Sequence, residues 1–190
     1  MEAEYSAERP EQHYSKRWVV SMIRKSAIIV LLFFASVSKT SSEEISLEVF
    51  FSPRGGCTAA IVREINTAKQ SVRVQAYGFS SDTIAAALIA ARNRGVTVVA
   101  ILDRSNVKAV YSRASIIAKA GITVKIDGKH QIAHNKVIII DEQKVITGSF
   151  NFTDNAENNN AENLVIITDA KAAATFSTNW EAHLIHTVDY

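Results

Sequence analysis

From Ile45 onward, short β-branched runs alternate with longer segments whose apolar residues recur at helical spacing. Residues 45–51 read as a strand. After the Pro53-Arg54-Gly55-Gly56 break, residues 57–70 read as a helix. Residues 71–79 alternate apolar and polar in period two, and Ser81-Asp82 then caps an alanine-rich helix over 83–94 that stops at Gly95. Residues 96–102 are apolar almost throughout, as in a strand covered on both faces. A helix is predicted over 106–120, ended by Gly121, then strands over 122–126, 134–140, 144–148 and 163–168, and a closing amphipathic helix over 170–186. The asparagine-rich residues 155–160 read as a loop. Such alternation predicts an α/β fold, an α/β/α sandwich with a mostly parallel mixed central sheet.

The first forty residues differ in kind. Lys16, Arg17, Arg24 and Lys25 precede the apolar run 27–35 (AIIVLLFFA), and small polar residues follow over 36–42. A basic region, a short apolar core and small residues mark a secretory signal peptide, expected over 1–38 with Met22 as an alternative start. The uncharged stretch 26–38 is shorter than the ~20 apolar residues of a membrane span. The expectation is therefore a periplasmic or secreted domain over 39–190, without stable membrane association after cleavage. A leader retained as an anchor is the other reading.

With 190 residues, 47% of them hydrophobic, the chain has room for one core. Its formal net charge of +2 is too small to hold nucleic acid by overall field, so any such contact must be local. The single cysteine, Cys57, cannot form an intramolecular disulfide and reads as a packing residue.

Candidate chemistry concentrates at His134-Asn135-Lys136. Alternate side chains share a strand face, which puts His134 and Lys136 together at the polar end of an apolar strand. If residues 141–144 form the turn into the next strand, Ile140 meets Val145, Ile138 meets Thr147, Lys136 meets Ser149 and His134 meets Asn151. That register gathers an imidazole, an ammonium, a hydroxyl and an amide. Such a patch suits an oxyanion, above all phosphate, with Lys136 as charge, Ser149 and Asn151 as donors, and His134 as a nucleophile.

The run His134-x-Lys136-x-x-x-x-Asp141, followed by Gly148-Ser149-Phe150-Asn151-Phe152, resembles the signature of the phospholipase D superfamily, and the fuller pattern resembles its small exported bacterial endonucleases of the Nuc type. The similarity extends through residues 51–53, 76–79, 94–96 and 158–165. It implies that His134 forms a phosphohistidine, that Lys136, Ser149 and Asn151 clamp the phosphate, that Glu162 orients an active-site histidine, and that Asp141 supports the site by hydrogen bond and charge.

One histidine cannot easily both attack phosphorus and protonate the leaving oxygen. The resemblance implies a twofold homodimer in which two copies of His134 face one phosphate. The expected function is a metal-independent phosphodiesterase without cofactor, a sequence-nonspecific endonuclease acting on DNA, with RNA left open as a further substrate. Two other readings stay open: a phospholipid or cardiolipin hydrolase, and a catalytically silent nucleic-acid-binding module. Arg54, Arg104, Lys108, Arg113 and Lys129 are candidates for a groove along the nucleic-acid backbone. His183 and His186, three apart on the last helix, lack a visible partner ligand set, and no metal is expected there. His130 reads as a loop histidine.

Overall fold

The computed structural model describes residues 45–190; the signal-peptide expectation lies outside the described residues. In chain order the elements are β1 (Ser46–Ser52), α1 (Cys57–Thr67), β2 (Ser71–Ala76), α2 (Asp82–Asn93), β3 (Thr97–Asp103), α3 (Ala114–Lys119), β4 (Thr123–Asp127), β5 (Lys136–Ile140), β6 (Lys144–Gly148), α4 (Asp154–Asn158), β7 (Glu162–Thr168), α5 (Ala170–Leu184) and β8 (Val188–Asp189). The strands form one eight-stranded sheet in the order β1-β7-β6-β5-β2-β3-β4-β8.

The α/β architecture and mixed sheet agree with expectation, but the balance of pairings does not. Only β2–β3 and β3–β4 are parallel; β1–β7, β7–β6, β6–β5, β5–β2 and β4–β8 are antiparallel. Parallel neighbours need a crossover, which α2 and α3 supply. β5 follows β4 through a loop without a helix, and β6 follows β5 through a tight turn, so both join in the antiparallel sense.

Two apolar layers hold the sheet. On one face Ile61 and Ile65 of α1, Leu88 of α2 and Ile117 of α3 pack with Phe150 and Phe152 against Val72, Val74, Ile138 and Ile140. On the other, Ala173 and Trp180 of α5 cover Ile101, Val137, Ile139 and Val145. Trp180 also donates its indole N–H to the carbonyl of Val74 at 3.0 Å, satisfying the ring's single polar atom. All five residues of β5 are buried, which accounts for its apolar run.

Three local expectations need correction. The predicted helix over 106–120 is a 3-10 turn (Arg104–Val107), an irregular stretch and the short α3. The Asn106 amide donates to the carbonyls of Tyr77 (2.7 Å) and Asp103 (3.1 Å), and its oxygen accepts from Ser112 (3.0 Å). These side-chain bonds compete with the helical ladder. The asparagine-rich stretch forms α4, capped by Thr153, whose Oγ1 accepts from the Ala156 N–H at 3.1 Å.

The β5–β6 register is also one residue away from the expected one. Ile140 faces Lys144, Ile139 faces Val145, Ile138 faces Ile146 and Val137 faces Thr147. The turn uses three residues, with Asp141 and Glu142 left-handed (φ 53° and 54°) and the Gln143 N–H donating to the Ile140 carbonyl at 3.0 Å. Lys136 and Ser149 are therefore not cross-strand partners.

Candidate active site

The ends of β1, β2 and β6 and the starts of β5 and β7 lie along one edge of the sheet, where Ser52 faces Glu162, Gly148 faces Leu164 and Ala76 faces Lys136. Lys136 is the first residue of β5 and is buried; His134, two residues earlier, precedes the ladder and is exposed. The Tyr77 N–H donates to the Asn135 carbonyl at 3.0 Å, which seats the segment against the end of β2. The His134 ring lies 4.8 Å from the Tyr77 ring, tilted by 53°. The Lys136 ammonium donates to the His134 carbonyl at 2.7 Å and stands 5.4 Å from the Tyr77 ring centroid. Burial pushes the Lys136 amine below its ordinary range, while the Glu162 carboxylate acts in the opposite direction.

Ser149 and Asn151 reach this edge by a route other than strand pairing. Gly148 closes β6 with φ 147°, and a Cβ there would lie 2.2 Å from the Asn163 carbonyl oxygen. The chain then turns, so that the Ser149 N–H donates to the Asn163 carbonyl (3.1 Å) and Ser149 Oγ accepts from the Asn163 N–H (3.0 Å). Asn151 Oδ1 accepts a long bond from the Gly78 N–H at 3.4 Å, and the Phe152 N–H donates to the Gly78 carbonyl at 3.0 Å. That leaves the Asn151 amide nitrogen as its remaining polar atom.

Glu162 opens β7. Its backbone N–H donates to Ser52 Oγ at 3.2 Å, and its Oε1 accepts from the Asn160 amide at 3.0 Å. Ser52 Oγ in turn donates to the Asn160 carbonyl at 2.9 Å. Within one chain Glu162 is thus held by Asn160 rather than bonded to a histidine. Tyr77, Gly78, Ser52 and Asn160 had no role assigned from the sequence. The signal that pointed to them was the family resemblance over residues 51–53, 76–79 and 158–165, in which all four lie.

Asp141 requires a correction. It sits at the far end of β5, roughly 16 Å from Lys136 at about 3.3 Å per residue, and cannot support the site directly. Its carboxylate accepts backbone N–H bonds from Lys69 (2.8 Å), Gln70 (2.7 Å) and Ser71 (2.9 Å). Burial alone would raise its pKa, but these bonds override it and hold the carboxyl below its ordinary range. Asp141 fastens the α1–β2 connection to the hairpin.

Beside the site a groove of about 530 Å³ is lined by Tyr77, Asp103, Arg104, Ser105, Lys108 and Gln131, among others. Of the predicted cations, Arg104 and Lys108 line it, and Arg113 is instead paired with Asp82. The buried carboxylate of Asp103 accepts from the Ala133 N–H at 2.8 Å, anchoring the loop immediately before His134. Cys57 is fully buried, and burial pushes its thiol up to about 11, consistent with a packing role. His130 is not beside His134; it lies with His183 and His186 around Asp127.

The chain matches the family described as cardiolipin synthase, PLD-like domain, over residues 61–184. A phospholipase D of Rickettsia prowazekii is 48% identical over 147 residues, covering 77% of this chain and 71% of that protein. The mitochondrial cardiolipin hydrolase of Mus musculus is 32% identical over 121 residues, covering 64% of this chain and 55% of that protein. Among solved structures, the phospholipase D family member Nuc from Salmonella typhimurium superimposes with a TM-score of 0.74 at 39% identity, covering 77% of this chain and 99% of that one. NucT from Helicobacter pylori superimposes with a TM-score of 0.71 at 25% identity, covering 77% and 100%.

Proposed function

The chain belongs to the phospholipase D superfamily and is a phosphodiesterase, and from that premise we propose that its substrate is nucleic acid and that it acts as a sequence-nonspecific endonuclease. The observation that carries this reading is the exposed His134 set beside the buried Lys136, with its ring against Tyr77, which lines a groove that also presents Arg104 and Lys108. A phosphodiester backbone tracking that groove would bring a phosphate to His134 without any contact to a base edge. The likeness to Nuc over nearly all of that protein's length supports the same choice.

The proposed reaction has two halves. A ring nitrogen of His134 attacks phosphorus, the P–O bond to the leaving nucleoside breaks, and the His134 of a second copy gives that oxygen its proton. Water then attacks phosphorus, the second His134 takes the water's proton, the P–N bond breaks and the first His134 is free again. Lys136, Ser149 and Asn151 hold the non-bridging oxygens as charge accumulates on them. Only one His-x-Lys pair occurs in the chain, so the second histidine comes from a homodimer. We place the enzyme in the periplasm or outside the cell, on the strength of the basic and apolar leader.

A second reading, a phospholipid or cardiolipin hydrolase, is favoured by the names of the Rickettsia and mouse relatives. Among the described residues no helix is long and apolar enough to cross a membrane. The deciding experiment offers the purified chain single- and double-stranded DNA, RNA and vesicles of labelled cardiolipin, alongside His134→Asn. DNA cleavage at unrelated sequences, reduced by several orders of magnitude in the variant, is expected. Lipid turnover without nucleic-acid cleavage selects the second reading, and nucleic-acid binding without turnover selects the silent module.

A further inference from the structure

We propose that Asp127, His130, His183 and His186 form a zinc site that ties the loop leading to His134 to the C-terminal helix. Asp127 ends β4, His130 follows three residues later, His183 lies in the last turn of α5 and His186 just beyond it. One ligand atom from each of the four lies within 4.8 Å of every other. Around Asp127 Oδ2 stand His183 Nδ1 at 2.8 Å, His130 Nδ1 at 3.0 Å and His186 Nε2 at 3.3 Å. With zinc–ligand bonds of about 2.0–2.1 Å, neighbouring ligands of a tetrahedral ion are about 3.3 Å apart, so small side-chain adjustments admit one.

Hydrogen bonding alone accounts poorly for this arrangement. A carboxylate oxygen has two lone pairs, and three imidazole nitrogens converge on Oδ2, of which His130 Nδ1 also reaches Oδ1 at 3.2 Å. The three rings also crowd one another, with centroids 4.8, 5.2 and 5.4 Å apart, so protonating all of them would set like charges side by side. A single divalent cation satisfies three neutral imidazoles and the carboxylate at once. The set is borderline in softness, with nitrogen predominant, which suits zinc. The carboxylate is oriented from outside the cluster, because Asp127 Oδ1 accepts the Lys129 N–H at 3.1 Å. Asp127 is fully buried, and the His183 and His186 side chains are 15% and 18% exposed against 44% for His130. The ion therefore enters from the His130 side.

The site is separate from the phosphate clamp. Lys136 lies in one cross-strand row with Ala76, Leu102 and Ile126, three strand spacings or roughly 14 Å from β4. Zinc here is a positioning element: it would fix His130, four residues before His134, to α5, on the strand edge where β8 pairs with β4.

The test uses the full chain without an affinity tag. Metal content by mass spectrometry is expected at one zinc per chain, and metal-free protein refilled with cobalt is expected to show the intense visible bands of a tetrahedral ion. Zinc should raise the melting temperature of the metal-free chain. In His183→Ala/His186→Ala, and in the milder His130→Gln, affinity should fall, by about 100-fold or more in the double variant, and the zinc-induced shift should disappear there. A chain that takes up no zinc, a weak octahedral cobalt spectrum, or zinc retained in the double variant would overturn the proposal. Titration of the unaltered chain decides the matter even if a variant fails to fold. None of these readouts depends on phosphodiester cleavage, so the proposed function and the zinc site can fail separately.

Discussion

His134 and Lys136 stand two positions apart and meet opposite environments: the imidazole is exposed and the ammonium is buried against Tyr77. Burial weakens the charged form of Lys136, and Glu162 is the carboxylate that supports it. Glu162→Gln is therefore expected to lower the Lys136 pKa further and move the alkaline limb of the pH–rate profile to lower pH. An unchanged limb with reduced rate throughout would assign Glu162 a purely steric role. Asp141 makes the opposite kind of prediction. Asp141→Asn should cost about 1–3 kcal/mol of stability through its three backbone bonds, while leaving turnover per folded molecule intact. Its folded pKa is lowered, so its contribution is fully present above the unfolded value of about 3.9 and fades as pH falls through the folded value. Denaturant titrations should show the variant and the parent converging in acid. The His-x-Lys pair was legible because it is local, whereas the role of Asp141 was not, because strand length separates residues that look adjacent in a motif.

At the level of elements, the edge of the sheet depends on how β6 ends. Had β6 continued in the observed register, Gly148 would face Lys136 and Ser149 would point away; the turn at Gly148 redirects the chain instead. Gly78 is the matching constraint on the β2 side, since a Cβ there would lie 3.2 Å from both Cβ and Oδ1 of Asn151. Gly78→Ala should leave the fold intact and reduce kcat by displacing Asn151, with unchanged circular dichroism as the control. Retention of full activity would remove Asn151 from the clamp. The strands and the helices at 57–67 and 82–93 were legible from periodicity within a few residues. The 104–119 region was not, because Asn106 bonds to Tyr77, a partner from another part of the chain.

For the molecule as a whole, the edge strand β1 leaves Leu47, Val49 and Phe51 exposed on one face at 61%, 52% and 65%. Their neighbours on β7 are Ile167, Val165 and Asn163. A long apolar edge of this kind is a liability unless something covers it, and β1 runs up to Ser52, which holds Glu162. A second copy seated on this face would cover the patch, and the proposed shared site needs a second copy to supply its His134. Val49→Asp should give a monomer by light scattering that remains folded and is inactive. A fully active monomer would end the shared-site mechanism.

Local sequence determined the alternation of strands and helices, the apolar filling of β5 and the placing of an imidazole beside an ammonium, because each is written in residues a few positions apart. Tertiary structure alone decided the antiparallel majority of the sheet, the one-residue shift of the β5–β6 hairpin, and the turn at Gly148 by which Asn151 reaches the edge where His134 and Glu162 stand. It also brought His183 within 2.8 Å of Asp127 across a separation of 56 residues. Those outcomes depend on which strands become neighbours and where turns reverse, and the energies that settle them come from packing between distant segments rather than from the period of any one of them.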